Sequence, residues 1–122
     1  MTGLQIGKCI KTILSGLDKV FPMIADKDTE YPFIVYRRYS LAPSSSKDRY
    51  CYRELATVEI IVAATTYAES ISLAEQVKQK MCSASGEYNG IEIGGIVMTD
   101  ALEQYLEDAF IQKMTFQIEV NY

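Results

Sequence analysis

Residues 53–81 read RELATVEIIVAATTYAESISLAEQVKQKM, and two different periods of apolar residues follow one another in this segment. In its first half, apolar residues occupy every even position, and these positions would share one face of an extended chain. These positions carry Ala56, Val58, Ile60, Val62 and Ala64. Because that face is uniformly apolar and β-branched residues are frequent, the pattern predicts a central strand whose even side packs against the core.

The second half of the same stretch has the period of a helix. Thr66 and Glu69 form a T-x-x-E capping box, in which each side chain can satisfy a free backbone N–H of the other residue. Apolar residues then recur at steps of three and four, at Tyr67, Ile71, Ala74, Val77 and Met81. The spacing predicts an amphipathic helix that covers the strand before it.

The N-terminal part of the chain adds a helix, a strand and a loop. Residues 3–21 carry apolar residues at helical spacing, which predicts a first helix even though two glycines weaken its interior. Residues 31–39 read YPFIVYRRY, an aromatic and β-branched run that predicts a strand. Residues 41–52 are polar and contain three consecutive serines, so we expect a long loop or an extended hairpin tip there.

The C-terminal part contains a glycine-interrupted strand. Apolar residues occupy odd positions before Gly94-Gly95 and even positions after this pair, a phase change that a β-bulge produces. We therefore predict one bulged strand over residues 91–99, an acidic connection over residues 100–108 and a last alternating strand over residues 110–120.

These elements follow one another in the order α-β-β-α-β-β. The expected fold is a single α+β domain, residues 1–122, with a four-stranded antiparallel or mixed sheet covered by two helices. A length of 122 residues suits one hydrophobic core.

The composition argues against several classes of function. The net charge is −4 and histidine is absent, which disfavours a nucleic-acid-binding face and removes histidine-based catalysis and most zinc sites. Phosphate-loop and dinucleotide motifs are also absent. We therefore expect no catalytic residue, no metal, no cofactor and no specific nucleic acid.

No apolar run approaches the length of a membrane span, and no signal peptide is visible, so we expect a protein that folds in a cytoplasm.

Two segments of opposite charge are the candidate interface. The first is basic and rich in tyrosine, with Arg37, Arg38, Tyr39, Lys47, Arg49, Tyr50, Tyr52 and Arg53. The second is acidic, with Asp100, Glu103, Glu107 and Asp108. Tyrosine and arginine are typical of interface cores, although a solvated loop or a local nucleic-acid contact would also fit the basic segment. If the two segments lie at different edges they could meet head-to-tail in a ring, whereas segments close together in one subunit would neutralise each other.

Several ordered motifs resemble one protein family. These are YPFIVYRR at residues 31–38, the following Ser-Lys-Asp-Arg loop, TVEIIVAATTYAES at residues 57–70, the glycine-interrupted strand, and YLEDAFIQKMTFQI at residues 105–118. Together they resemble the tail-completion family of long-tailed phages, also called tail-terminator or tail-to-head joining proteins. The resemblance covers most of the chain and concerns patterns of strand, capped helix and acidic loop.

The resemblance implies a small subunit that forms a hexameric ring. Such a ring would cap the tail tube and join it to the head, so the implied partners are other copies of the chain, the tail tube protein and a head connector or stopper protein. The implied location is the head–tail junction of the virion tail, after assembly in the bacterial cytoplasm from a prophage gene, with no membrane partner. The loop at residues 40–53 would be a projecting arm.

A second hypothesis comes from a different class of function. Antiparallel α+β domains of this size often dimerise and bind small metabolites, so a regulatory domain that binds a small molecule is the alternative. A specific ligand would raise its apparent stability.

Overall fold

One mixed β-sheet with two helices on one face forms the fold in the computed structural model. The structure describes residues 5–17, 19–23, 30–43, 53–88, 90–106 and 108–121, with only the backbone described at positions 43 and 53. The elements in these residues are α1 Ile6–Ile13, β1 Val20–Pro22, β2 Phe33–Pro43, β3 Arg53–Ala64, α2 Tyr67–Cys82, β4 Gly86–Tyr88, β5 Ile91–Leu106 and β6 Ala109–Asn121. No helix among the described residues is long and apolar enough to cross a membrane.

The six strands of the described residues lie in the order β1-β2-β3-β6-β5-β4. Strand β1 pairs in parallel with β2, and every other pairing is antiparallel. The predicted four-stranded sheet with the element order α-β-β-α-β-β is therefore wrong. The two strands that the prediction missed, β1 and β4, are each three residues long, which is too short to show a period of two.

Strand β3 lies at the centre of the sheet, and its even side faces the core as predicted. The side chains of Ala56, Val58, Ile60, Val62 and Ala64 are fully buried. Helix α2 packs on β3, β5 and β6, while α1 packs on β2. The apolar side chains of α1 and α2 therefore bury one face of the sheet, as the alternation in β3 indicates.

Helix α1 is shorter than the predicted helix over residues 3–21. It ends at Ile13, and the chain then turns through Gly16, whose φ of +99° favours glycine. The apolar residues at the end of the predicted stripe leave the helix, because Val20 begins β1.

Helix α2 begins as predicted, and Val77 and Met81 of its predicted stripe are fully buried, but the start of the stripe differs. The hydroxyl of Thr66 accepts a hydrogen bond from the Glu69 N–H at 3.2 Å. Tyr67 is 46% exposed, whereas Ser70 is fully buried and accepts a hydrogen bond from the Gln112 side chain of β6 at 3.3 Å. This polar pair explains why Gln112 interrupts the apolar face of β6, because its amide faces a buried hydroxyl.

Strand β5 combines the predicted bulged strand with most of the predicted acidic connection. Its pairing with β6 shifts register between Ile93 and Gly95, which confirms the predicted bulge, and shifts again between Met98 and Asp100. The prediction of a connection over residues 100–108 is wrong, since the strand continues to Leu106 and turns directly into β6. Residues 99–106 are all exposed, so no alternation of apolar side chains marks them as a strand.

Candidate functional site

The structure describes only part of the predicted basic segment. Arg37, Arg38 and Tyr39 lie on β2, and Arg53 begins β3 with only its backbone described. The remaining predicted residues lie outside the described part of the chain, and these are Lys47, Arg49, Tyr50 and Tyr52. The predicted projecting arm at residues 40–53 also falls mostly outside it.

The acidic segment lies at the far end of the hairpin that β5 and β6 form. Asp100 and Glu103 are exposed on β5, and Asp108 lies in the turn with a φ of 61°. Glu107 lies outside the described residues. Strands β3 and β6 separate β2 from β5, so the described members of the two segments are three strand spacings, about 14 Å, apart. The two segments therefore lie on different sides of the sheet.

Arg37 forms an ion pair with Glu59 that the sequence did not predict. Its guanidinium donates to Glu59 Oε2 of β3, with Nε at 2.7 Å and Nη2 at 2.6 Å. Lys113 of β6 lies 3.4 Å from the other carboxylate oxygen of Glu59. Glu59 is only 5% exposed although it points away from the helices. The sequence shows Glu59 as a charged residue on the non-core face of β3. Its partners are 22 or more positions away in the sequence, so no local pattern identifies them.

Two tyrosine hydroxyls donate hydrogen bonds to carboxylates at the acidic end of β5. The Tyr67 hydroxyl donates to Glu103 Oε1 at 3.1 Å, and the Tyr105 hydroxyl donates to Asp108 Oδ1 at 3.4 Å. Both rings pack against Phe110, with centroids 5.8 Å and 5.0 Å from it. The hydrogen bond to Glu103 raises the pKa of Tyr67 above its ordinary value, because it stabilises the protonated phenol. These contacts make the end of the hairpin an ordered surface.

Two strand edges remain open in the described part of the molecule. Strand β1 pairs with β2 only at residues 34–36, so residues 37–42 of β2 form a free stretch that we name the basic edge. Strand β4 pairs with β5 only at residues 91–93, so residues 95–106 of β5 form a second free stretch that we name the acidic edge. Each open edge presents unpaired backbone N–H and C=O groups that can bind another strand.

The two edges differ in charge and carry exposed apolar side chains. Strand β2 contains two arginines and no acid, while residues 86–108 contain six acids and no lysine or arginine. The large exposed apolar and aromatic side chains on these edges are Tyr39, Val97, Leu102, Tyr105 and Leu106. Opposite charge combined with exposed aromatic and aliphatic surface is the composition of an interface between proteins.

Metal-ligand groups and surface hollows are further places where the described residues could form a site. Within them, no group of three or more histidine, cysteine or acidic side chains is arranged to hold a metal ion. One surface hollow lies between the turn after α1 and the middle of α2, lined by Gly16, Leu17, Lys19, Pro32, Leu73 and Gln76. Among the described residues of this lining, Lys19 is the one that carries a charge.

Comparison with known proteins gives a match in structure and none in sequence. No family model matches the chain. No curated protein matches it either. A solved structure described as the virion of a native gene transfer agent (GTA) particle contains a chain with the same fold, at a TM-score of 0.73. The two chains are 14% identical, and the match covers 93% of this chain and 84% of the other. At this identity the likeness establishes a shared fold.

Proposed function

We propose that this chain is a structural protein of a phage or phage-like virion. The observation that carries the proposal is the fold shared with a chain of a virion particle over nearly the whole length of both chains. The motifs of residues 31–38, 57–70 and 105–118 support it independently, since they resemble the tail-completion family. In this proposal the chain works through its surfaces and is not an enzyme.

Within the virion, the proposed place is the head–tail junction. Copies of the chain form a ring, which we propose to be hexameric, that caps the tail tube and joins it to the head connector or stopper protein. The opposite charges on two separate sides of the subunit support a head-to-tail ring, because each subunit presents a different surface to each neighbour. The small-molecule-binding dimer has no comparable support, since its only basis was a general architecture.

Deletion of the gene from the phage or prophage that encodes the chain tests this proposal. We expect electron micrographs to show filled heads separated from tails, with tails of abnormal length, and complementation with the intact gene to restore joined particles. Mass spectrometry of purified wild-type virions should detect the chain at a few copies per particle. Normal joined virions after deletion, or wild-type virions without the chain, would refute the proposal.

A further inference from the structure

The acidic edge of β5 is an unusual surface for a protein that remains monomeric. Monomers commonly block open edges with lysine, proline or very short strands. Residues 95–106 contain neither lysine nor proline, and they expose apolar side chains at Val97, Tyr105 and Leu106. The charged residues there are Asp100 and Glu103. Such an edge is suited to pair with a strand from another chain.

Charge determines which strand this partner provides. Two acidic edges side by side would bring Asp100 and Glu103 of both copies together, and like charges on neighbouring strands are destabilising. Two basic edges would likewise oppose Arg37 and Arg38. An acidic edge beside a basic edge brings opposite charges together, and Glu103 and Arg38 both lie on the helix-covered side of the sheet. The favoured partner of the acidic edge is therefore β2 of a second copy.

Strand directions agree with this pairing. The strands β2, β3, β6 and β5 alternate in direction, so β2 and β5 of one subunit run antiparallel to each other. A rotation about an axis along the strands preserves strand direction. In a ring of this symmetry, β5 of each copy lies antiparallel to β2 of the next, and the alternation continues across the boundary.

The short edge strands restrict the register of the pairing. The Met23 N–H donates to the Tyr36 carbonyl at 2.8 Å, so β1 occupies the edge of β2 up to Tyr36. Tyr36, Ile60, Met114 and Ala101 form one row across the sheet. Without an offset along the strands, the part of β5 after Ala101 would therefore collide with β1 of the next copy.

An offset along the strands removes the collision. If Leu106 is placed beside Arg37, the register shift of β2 between Arg38 and Ser40 takes up one residue, so residues 102–106 lie opposite residues 37–42. The displacement along the strands is about six residues or 20 Å, and Arg38 then lies beside Tyr105 and diagonal to Glu103. Closing a sheet into a barrel requires a stagger of this kind, because its strands tilt against the axis. Because β1 already pairs with β2 up to Tyr36, the pairing with β5 of the next copy can begin only at Arg37.

We propose that residues 102–106 of β5 pair antiparallel with residues 37–42 of β2 in a second copy of this chain, so that one continuous sheet runs through the assembly. This inference rests on the proposed function for the closure into a ring, and it adds the contact that joins the copies.

Disulfide crosslinking tests the contact directly. Ala42 and Leu102 are exposed on the same side of the sheet, and neighbouring residues on paired strands have Cα atoms about 4.5–5.5 Å apart, within the range that a disulfide spans. The background chain carries Cys51→Ser and Cys82→Ser, while the buried Cys9 is kept. Cysteine is placed at position 42 together with position 102 or, to allow for the neighbouring register on the same side of the sheet, position 104.

The pattern of products distinguishes the possible partners. After mild oxidation of the concentrated protein, we expect a double variant to give a ladder of oligomers on a non-reducing gel. An equimolar mixture of the two matching single variants should give a dimer and nothing larger. A dimer from Leu102→Cys alone would show that two acidic edges pair, and no product from either double variant would also overturn the proposal.

The contact and the proposed function can fail separately. Crosslinks without a virion defect after gene deletion would leave the contact standing and refute the virion role. Separated heads and tails after deletion, without crosslinks, would leave the virion role standing and refute this contact.

Discussion

Arg37 and Asp100 stand at the two ends of one row of residues that crosses the sheet. Arg37 of β2 is opposite Glu59 of β3, which is opposite Thr115 of β6, which is opposite Asp100 of β5. Arg37 is paired with Glu59 within this row, so the positive charge of β2 comes from its neighbour Arg38, while the row ends with the anion Asp100 on β5. Both strands have an open stretch in the described structure. Each subunit is therefore electrically asymmetric across the sheet, which favours head-to-tail association over pairing of identical edges.

Charge reversal tests this asymmetry. We expect Arg38→Glu or Glu103→Arg alone to weaken self-association about tenfold, because each places like charges across the contact, and the combined variant to recover most of it. Sedimentation over a concentration series measures the effect. Glu103→Gln keeps an acceptor for the Tyr67 hydroxyl and should weaken association less than the reversal, which separates the charge from this local hydrogen bond.

Lys78→Glu is the matched control for the charge reversals. Lys78 is exposed on α2 and lies on neither open edge, so its reversal should leave association unchanged. Equal effects of Lys78→Glu and Arg38→Glu would mean that net charge and not the two edges controls association.

The buried carboxylate of Glu59 is predicted to stabilise the subunit. Glu59→Gln should lower the free energy of unfolding by about 1–2 kcal/mol, because Arg37 and Lys113 lose the anion between them while both remain partly exposed to water. Urea unfolding measures the change. Glu75→Gln on the exposed side of α2 is the control and should change the free energy of unfolding by less than about 0.5 kcal/mol. Equal values for the two variants would contradict a structural role for Glu59.

The two glycines of the bulge are predicted to respond differently to alanine. A Cβ at Gly94 would lie 2.8 Å from Asn121 Nδ2 and 3.1 Å from the Glu119 carboxyl carbon, whereas a Cβ at Gly95 would meet nothing within 4 Å. We expect Gly94→Ala to lower the free energy of unfolding by about 1 kcal/mol through the displacement of these side chains, and Gly95→Ala to be close to neutral. Thermal unfolding of both variants checks the difference. A larger loss of unfolding free energy for Gly95→Ala than for Gly94→Ala would contradict the close contact at Gly94.

The sequence predicted the elements whose patterns are local and long. The alternation of β3 identified its buried side, Thr66 marked the start of α2, and the phase change at Gly94 and Gly95 identified the bulge. Strands β1 and β4 escaped prediction because three residues carry no recognisable period. Residues 100–106 escaped prediction because their side chains are all exposed, so nothing requires apolar residues to alternate along this part of β5.

The candidate interface was predictable in composition but not in geometry. Opposite charge in two segments was visible in the sequence, while their position on β2 and β5 depends on a strand order that brings β6 between β3 and β5. The ion pair of Arg37 with Glu59 depends on the register of β2 against β3. Such long-range pairings follow from tertiary packing, which local propensities do not encode.

The mass of the assembly in solution shows whether the subunits close into a ring. Light scattering over a concentration series at low and high salt measures it. Six subunits of 13.7 kDa would weigh about 82 kDa, and we predict a species near this mass at low salt that dissociates as salt screens the charged edges. A dimer that persists at every concentration and salt level would contradict the account, because it indicates pairing of identical surfaces and no head-to-tail ring. A monomer at every concentration would equally contradict a ring that closes through the subunit's own edges.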